Sequence, residues 1–266
     1  MWIAVLAGLF AAAPIAHAKG WPTPAAGQSV SGDPEIIFTF DDGPSPSTTI
    51  KVLDILAAHH IHAVFFLVGE MAGSENKKVP KIIERILHDG HVIGTHTMTH
   101  KDLCKLKDEA KANREIDDGK ATVERVAGLR TVWFRAPYGV RCKRLDDMLA
   151  ARGLGHFHWD LDPQEWKHND PRRAVKYVTS ELAKMSGRNV LLMHDIKTAT
   201  VKALPEILDW LEAENGKRAI AHKRQIRIVQ SYDLAAERVA PGLLAWLGDA
   251  STGPRGWPKA LARVLP

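Results

Sequence analysis

Two carboxylates stand side by side at Asp41-Asp42, and Gly43-Pro44 turns the chain immediately after them. Adjacent side chains leaving a strand point in different directions, so one acid can bind a cation while the other handles protons. An ordinary Asp-Gly-Pro turn would contain the same residues. Further on, His96-Thr97-Met98-Thr99-His100 puts two imidazoles four residues apart, a spacing that suits a shared divalent ion. Gly94 and the surrounding threonines favour a loop here over a helix. With Asp42 the pair supplies two nitrogens and one oxygen, a donor set that leaves a coordination position open for water. A chance pair is also possible in a chain with 13 histidines.

Three more stretches carry reactive groups. Arg135-Ala136-Pro137-Tyr138-Gly139 follows a buried-looking Val-Trp-Phe run; its arginine can hold a carboxylate and its turn can aim a backbone N–H. The stretch from Trp159 to Trp166 contains Asp160, Asp162 and Glu165 between two indoles. Trp166 suits stacking against a sugar face, whereas Trp159 reads as core packing. Val190-Leu191-Leu192-Met193 ends in His194-Asp195, where a histidine can act as a general acid near neutral pH.

The elements that must position these groups are legible as alternation. Short apolar, β-rich runs lie at 35–40, 62–68, 91–95, 131–134, 155–159, 189–193 and 225–229. Helical patterns lie between them at 48–59, 79–88, 107–126, 144–152, 171–185 and 201–214. Asp170-Pro171 reads as a cap and first helical residue, and Gly90 as a C-cap. Strands alternating with helices argue for a parallel sheet, and seven of them for an α/β fold of the distorted (β/α)7 barrel type in a single domain. In such barrels reactive groups gather just past the C-terminal ends of the strands. All five motifs do so.

The 266 residues include 45% hydrophobic and 25% charged side chains, ordinary for a domain with a real core. The formal net charge of +5 fits attraction to an anionic surface such as a cell wall. No basic block interleaved with aromatics supports a nucleic-acid partner. Residues 1–18 are free of Lys, Arg, Asp and Glu and end in Ala16-His17-Ala18, the form of a signal-peptidase site. The run is too short for a permanent bilayer span, so export without stable membrane insertion is expected. Residues 19–33 read as a flexible leader, 34–240 as the catalytic domain and 241–266 as a C-terminal extension. Cys104 and Cys142, the two cysteines, could pair after export or remain free in the core.

Taken in order, the motifs Thr39-Phe40-Asp41-Asp42-Gly43-Pro44, His96-Thr97-Met98-Thr99-His100, Arg135-Ala136-Pro137-Tyr138-Gly139, Asp162-Pro163-Gln164-Glu165-Trp166 and Leu192-Met193-His194 resemble the five motifs of the polysaccharide deacetylases. This is carbohydrate esterase family 4, the nodulation-deacetylase (NodB) homology domain, and the match spans roughly residues 35–230. The resemblance implies a NodB-like distorted barrel and one divalent ion, most simply Zn2+ with Co2+ as an alternative, bound by Asp42, His96 and His100. It implies Asp41 as general base oriented by Arg135, and His194 as general acid. Leu192 would line the acetyl pocket, and the Tyr138 N–H would meet the oxyanion. The fourth motif departs from the family pattern, which usually ends Asp-Trp where this chain has Glu165-Trp166. Either the longer Glu165 tunes His194, or Asp162 or Asp160 takes that role.

The expected reaction is removal of acetyl groups from an N-acetylated glycan by a monomer. An O-acetyl esterase of the xylan type and a non-catalytic glycan-binding relative are the alternatives on the same scaffold. A glycosidase would leave the histidines idle, and small-molecule amide hydrolysis fits poorly with the export segment and the Trp-bearing loop.

Overall fold

In a computed structural model, β1 (Glu35–Asp41) is buried along its whole length, as expected of a strand with neighbours on both edges and layers on both faces. The structure describes residues 33–231, 233 and 234. The expected signal segment (1–18), nearly all of the leader and the C-terminal extension (241–266) lie outside them. After β1 come α1 (Thr49–Ala58), β2 (Val64–Leu67), α2 (Gly69–Ala72), α3 (Val79–His88), β3 (Val92–Thr95), α4 (Glu109–Ala127) and β4 (Trp133–Phe134). A 3-10 turn at Pro137–Gly139 leads to α5 (Lys143–Ala151), β5 (Gly155–His156), α6 (Glu165–His168), α7 (Pro171–Lys184), β6 (Arg188–His194), α8 (Thr198–Ile220) and β7 (Arg227–Ile228).

All seven expected strands are present, and every pairing is parallel. The order is β5-β4-β3-β2-β1-β6, with β7 pairing the first residues of β1. The sheet curls, because the chain beyond β5 leaves β4 and bridges to β6 at Leu161↔Leu191. Leu161 donates its N–H to Val190 (3.0 Å), and Leu192 donates to Leu161 (2.9 Å). This detour explains why the run expected over 155–159 forms a ladder only at Gly155–His156. The result is a distorted α/β barrel.

Alternation along β1 divides the core. Ile36, Phe38 and Phe40 face the helix layer, where they meet residues such as Leu53, Ile82, Leu204 and Ile207. Ile37 faces the barrel interior with Phe66, Trp133, Phe157 and Val190. Each such side chain stabilises the fold by roughly 1.5–3 kcal/mol relative to exposure. Asp108 caps α4 by accepting from the Lys111 N–H, and Asp170 caps α7 by accepting from Arg172 and Arg173. Helix α8 runs well past the expected 201–214, to Ile220. The one-turn helices α2 and α6 are too short to show a period in sequence. No described helix is long and apolar enough to cross a membrane.

Cys104 and Cys142 form a disulfide with Cα atoms 6.0 Å apart. It ties the loop after His100 to the loop after Tyr138.

Candidate functional site

The register of the two central strands pairs Asp41 with His194 and Thr39 with Leu192. These side chains therefore share the inner face, and Leu192 lies one step below His194. Asp41 is held by Arg135, whose Nη1 donates to Asp41 Oδ1 at 2.8 Å and to Thr39 Oγ1 at 2.7 Å. The guanidinium is fully buried, donates further to the Phe157 and His158 carbonyls, and lies over the Phe66 ring at 4.2 Å. A buried, charged fork of this kind fixes the orientation of the Asp41 carboxylate.

Asp42 adopts φ 77°, a left-handed conformation that swings its side chain away from that of Asp41. Its Oδ1 lies 3.2 Å from His100 Nε2 and 3.5 Å from His96 Nε2, yet this buried oxygen makes no hydrogen bond. Burial raises the Asp42 pKa, but the nearby His100, His96 and His194 rings outweigh it and hold the carboxyl at about 2. His96 Nδ1 lies 2.7 Å from the Arg135 carbonyl oxygen, which fixes Nδ1 as the donor and leaves the Nε2 lone pair facing the cluster. Burial lowers the His96 pKa against the pull of Asp41 and Asp42, favouring the neutral ring that a metal requires. His100 lies in the same loop, at φ 57°, with its ring 5.0 Å from that of His96 and 4.8 Å from that of Tyr138.

Each of Asp42, His96 and His100 offers one ligand atom, and the three atoms lie within 4.8 Å of one another. A buried carboxylate oxygen without a hydrogen bond, facing two imidazole nitrogens, fits a divalent ion by both donor type and position.

Across the cluster, His194 Nδ1 meets Glu165 Oε1 at 2.9 Å, and the same oxygen accepts from the His194 backbone N–H at 2.9 Å and the Thr200 hydroxyl at 3.2 Å. Burial alone would lower the His194 pKa; the hydrogen bond and charge of Glu165, aided by Asp41 and Asp42, outweigh it and raise the value. The other two acids of that loop are engaged elsewhere. Asp160 Oδ2 accepts from the Val190 N–H (2.7 Å) and Asp162 Oδ1 from the Gln164 N–H (2.8 Å). One-turn helix α6 begins at Glu165 and brings the longer side chain to His194.

Two exposed aromatic rings flank the cluster. Trp166 lies 6.3 Å from the His194 ring, and Tyr138 stands beside His100 in the 3-10 turn at φ 61°. Gly139 permits that turn, since a Cβ there would come within 2.6 Å of the Trp159 ring. All ten residues expected from the motifs thus surround one mouth of the barrel.

Asp195, quoted in the sequence without a role, is fully buried beneath the Asp41-Asp42 turn. Its Oδ2 accepts from the Thr49 hydroxyl (2.5 Å), and Thr49 Oγ1 in turn accepts from the Ser45 N–H (2.7 Å). Burial pushes the Asp195 carboxyl up to about 7. A Cβ on Gly43 would lie 2.1 Å from that carboxylate, which is why the turn needs glycine. Its only sequence signal was its place beside His194.

Fold and site together define an α/β barrel protein with an Asp-His-His cluster and a Glu-tuned histidine at the C-terminal mouth. The sequence profile of the polysaccharide deacetylase family matches residues 28–156. A chitooligosaccharide deacetylase of Sinorhizobium fredii is 35% identical over 170 residues, covering 63% of this chain and 75% of that protein. The peptidoglycan-N-acetylmuramic acid deacetylase PdaC of Bacillus subtilis is 32% identical over 176 residues, covering 66% of this chain but 35% of that longer protein. Among solved structures, the chitin deacetylase of Colletotrichum lindemuthianum superposes with a TM-score of 0.67 at 25% identity, covering 79% of this chain and 91% of that one. The chain belongs to the polysaccharide deacetylase family.

Proposed function

We propose that this chain is an exported, metal-dependent hydrolase that removes acetyl groups from the N-acetylated amino sugars of a chitin- or peptidoglycan-type glycan. The observation that carries this reading is the meeting of two ionic pairs, Asp41–Arg135 and Glu165–His194, beside the Asp42, His96 and His100 cluster. A divalent ion held by those three residues, most simply Zn2+, would supply Lewis acidity that polarises the acetyl carbonyl and acidifies water.

The chain's own residues do the rest. Asp41, held by Arg135, accepts the proton of the attacking water at its carboxylate. The Tyr138 N–H donates to the oxyanion, where one well-placed donor is worth about 3–4 kcal/mol. His194, whose pKa Glu165 raises, hands its proton to the departing amine nitrogen. Leu192 offers an apolar wall for the acetyl methyl, and Trp166 a face for a sugar ring.

The disulfide and the apolar segment ending at Ala18 support export to an oxidising compartment. The positive net charge favours an anionic wall. The test is acetate release from a panel of N- and O-acetylated glycans, with chelator and with metal added back. Release from N-acetylated glycans that stops with chelator and returns with Zn2+ or Co2+ is expected. Release confined to O-acetylated xylan, or unaffected by complete metal removal, would overturn the assignment.

A further inference from the structure

The two histidines of the cluster are secured in different ways. His96 has an outer hydrogen bond, from Nδ1 to the Arg135 carbonyl. Among the described residues, no hydrogen bond holds the outer Nδ1 of His100. A metal-binding imidazole normally depends on such an outer partner for its orientation. The direction of His100 therefore depends on its ring neighbours His96 and Tyr138 and on its backbone, which sits at φ 57° just after a segment whose Thr97 sits at φ 65°. A left-handed β-branched residue persists only where its surroundings enforce it.

The enforcement comes largely from one residue of α4. Glu115 accepts the Thr99 N–H on Oε2 (2.8 Å) and the Thr99 hydroxyl on Oε1 (2.6 Å), and its backbone oxygen accepts the Met98 N–H (2.8 Å). One turn further along α4, Gly119 lets the helix press against the same segment; a Cβ there would come within 2.5 Å of the Thr97 carbonyl carbon. From the other side, Gly69 and Glu70 donate their N–H groups to the Thr97 and Met98 oxygens, each at 2.9 Å. Every residue between the two histidines is thus anchored, and the anchor adjoining His100 is the Glu115 carboxylate.

We propose that Glu115 is a positioning residue of the metal centre, substituting through Thr99 for the outer hydrogen bond that His100 lacks. The proposal rests on the reading of Asp42, His96 and His100 as metal ligands. The carboxylate fits both the N–H and the hydroxyl of Thr99, whereas an amide retains one acceptor oxygen and an alanine none.

The test is calorimetric titration of Zn2+ into metal-free protein, beside thermal melts of the same samples with and without Zn2+. Wild-type protein should bind one equivalent. Glu115→Ala should bind about 10–100-fold more weakly, the range typical for loss of an outer-shell partner. Glu115→Gln and Thr99→Val should fall between. The melting temperature gained on adding Zn2+ should shrink in the same order. Variants that melt lower without metal but bind Zn2+ as tightly as wild type would overturn the proposal, reducing Glu115 to a fold-stabilising residue. If Glu115→Ala fails to fold, Glu115→Gln and Thr99→Val decide alone. Failure of wild-type protein to bind Zn2+ would instead overturn the metal reading itself.

Discussion

The central strand β1 begins and ends in buried acids, and the two ends are solved differently. Glu35, at the N-terminal end of the barrel, has no exposed surface, and both its oxygens are engaged. Arg188 Nε donates to Oε2 at 2.7 Å, and Arg227 donates to Oε1 from Nη2 at 2.5 Å and Nε at 3.1 Å. The cluster clips β6 and β7 to β1. At the C-terminal end, Asp41 is likewise tied to an arginine, but Asp42 Oδ1 and Glu165 Oε2 are buried without a hydrogen bond. Complete pairing is how a fold accommodates buried charge; a buried oxygen left unpaired, such as that of Asp42 facing two imidazoles, is costly unless something binds there. The contrast separates scaffold from site between the two ends of β1, a strand of 7 residues.

Crossed substitutions break this comparison most sharply. Asp41→Asn should lower kcat by at least about 10²-fold, the usual scale of general base catalysis, while metal affinity is retained. Glu35→Ala should do the reverse. It breaks the buried Arg188–Glu35 ion pair and the clip to Arg227, and chemical denaturation should show a loss of up to about 3–5 kcal/mol, with kcat of the folded fraction unchanged. Near-normal turnover in Asp41→Asn would remove that residue from the role of base. The Glu35 pKa is lowered: burial opposes ionisation, and the bonds and charges of Arg227 and Arg188 outweigh it. Its contribution should therefore be present above the ordinary carboxylate range and fade as pH falls through the lowered value.

A smaller effect sharpens the site half of the comparison. His194 serves as an acid only while protonated, and its raised pKa is owed chiefly to Glu165, which prevails over burial. Removing that charge with Glu165→Gln should move the alkaline limb of the kcat profile to lower pH. An unmoved limb would mean that another group sets it.

The division between scaffold and site was partly legible in the sequence. The seven strands showed as β-rich runs, and each motif followed one, because parallel strands are buried on both faces and hand over to loops at one end. Glu165 stayed ambiguous beside Asp160 and Asp162, since the reach of a side chain depends on a one-turn helix that has no periodic signature. The shortness of β5 was hidden because its apolar run continues as the bridge to β6. Glu115 gave no signal at all. In an amphipathic helix such as α4 a partly buried glutamate looks like any solvated one, and its partner Thr99 becomes a neighbour only through tertiary packing.

The convergence of Asp42, His96 and His100 on one cation is tested most directly by titrating Co2+ into metal-free protein and following its visible absorption. One equivalent should bind in wild type and in Asp41→Asn, and binding should collapse in Asp42→Ala and His96→Ala. Undiminished Co2+ binding in both of the latter variants would contradict a metal centre built from these residues.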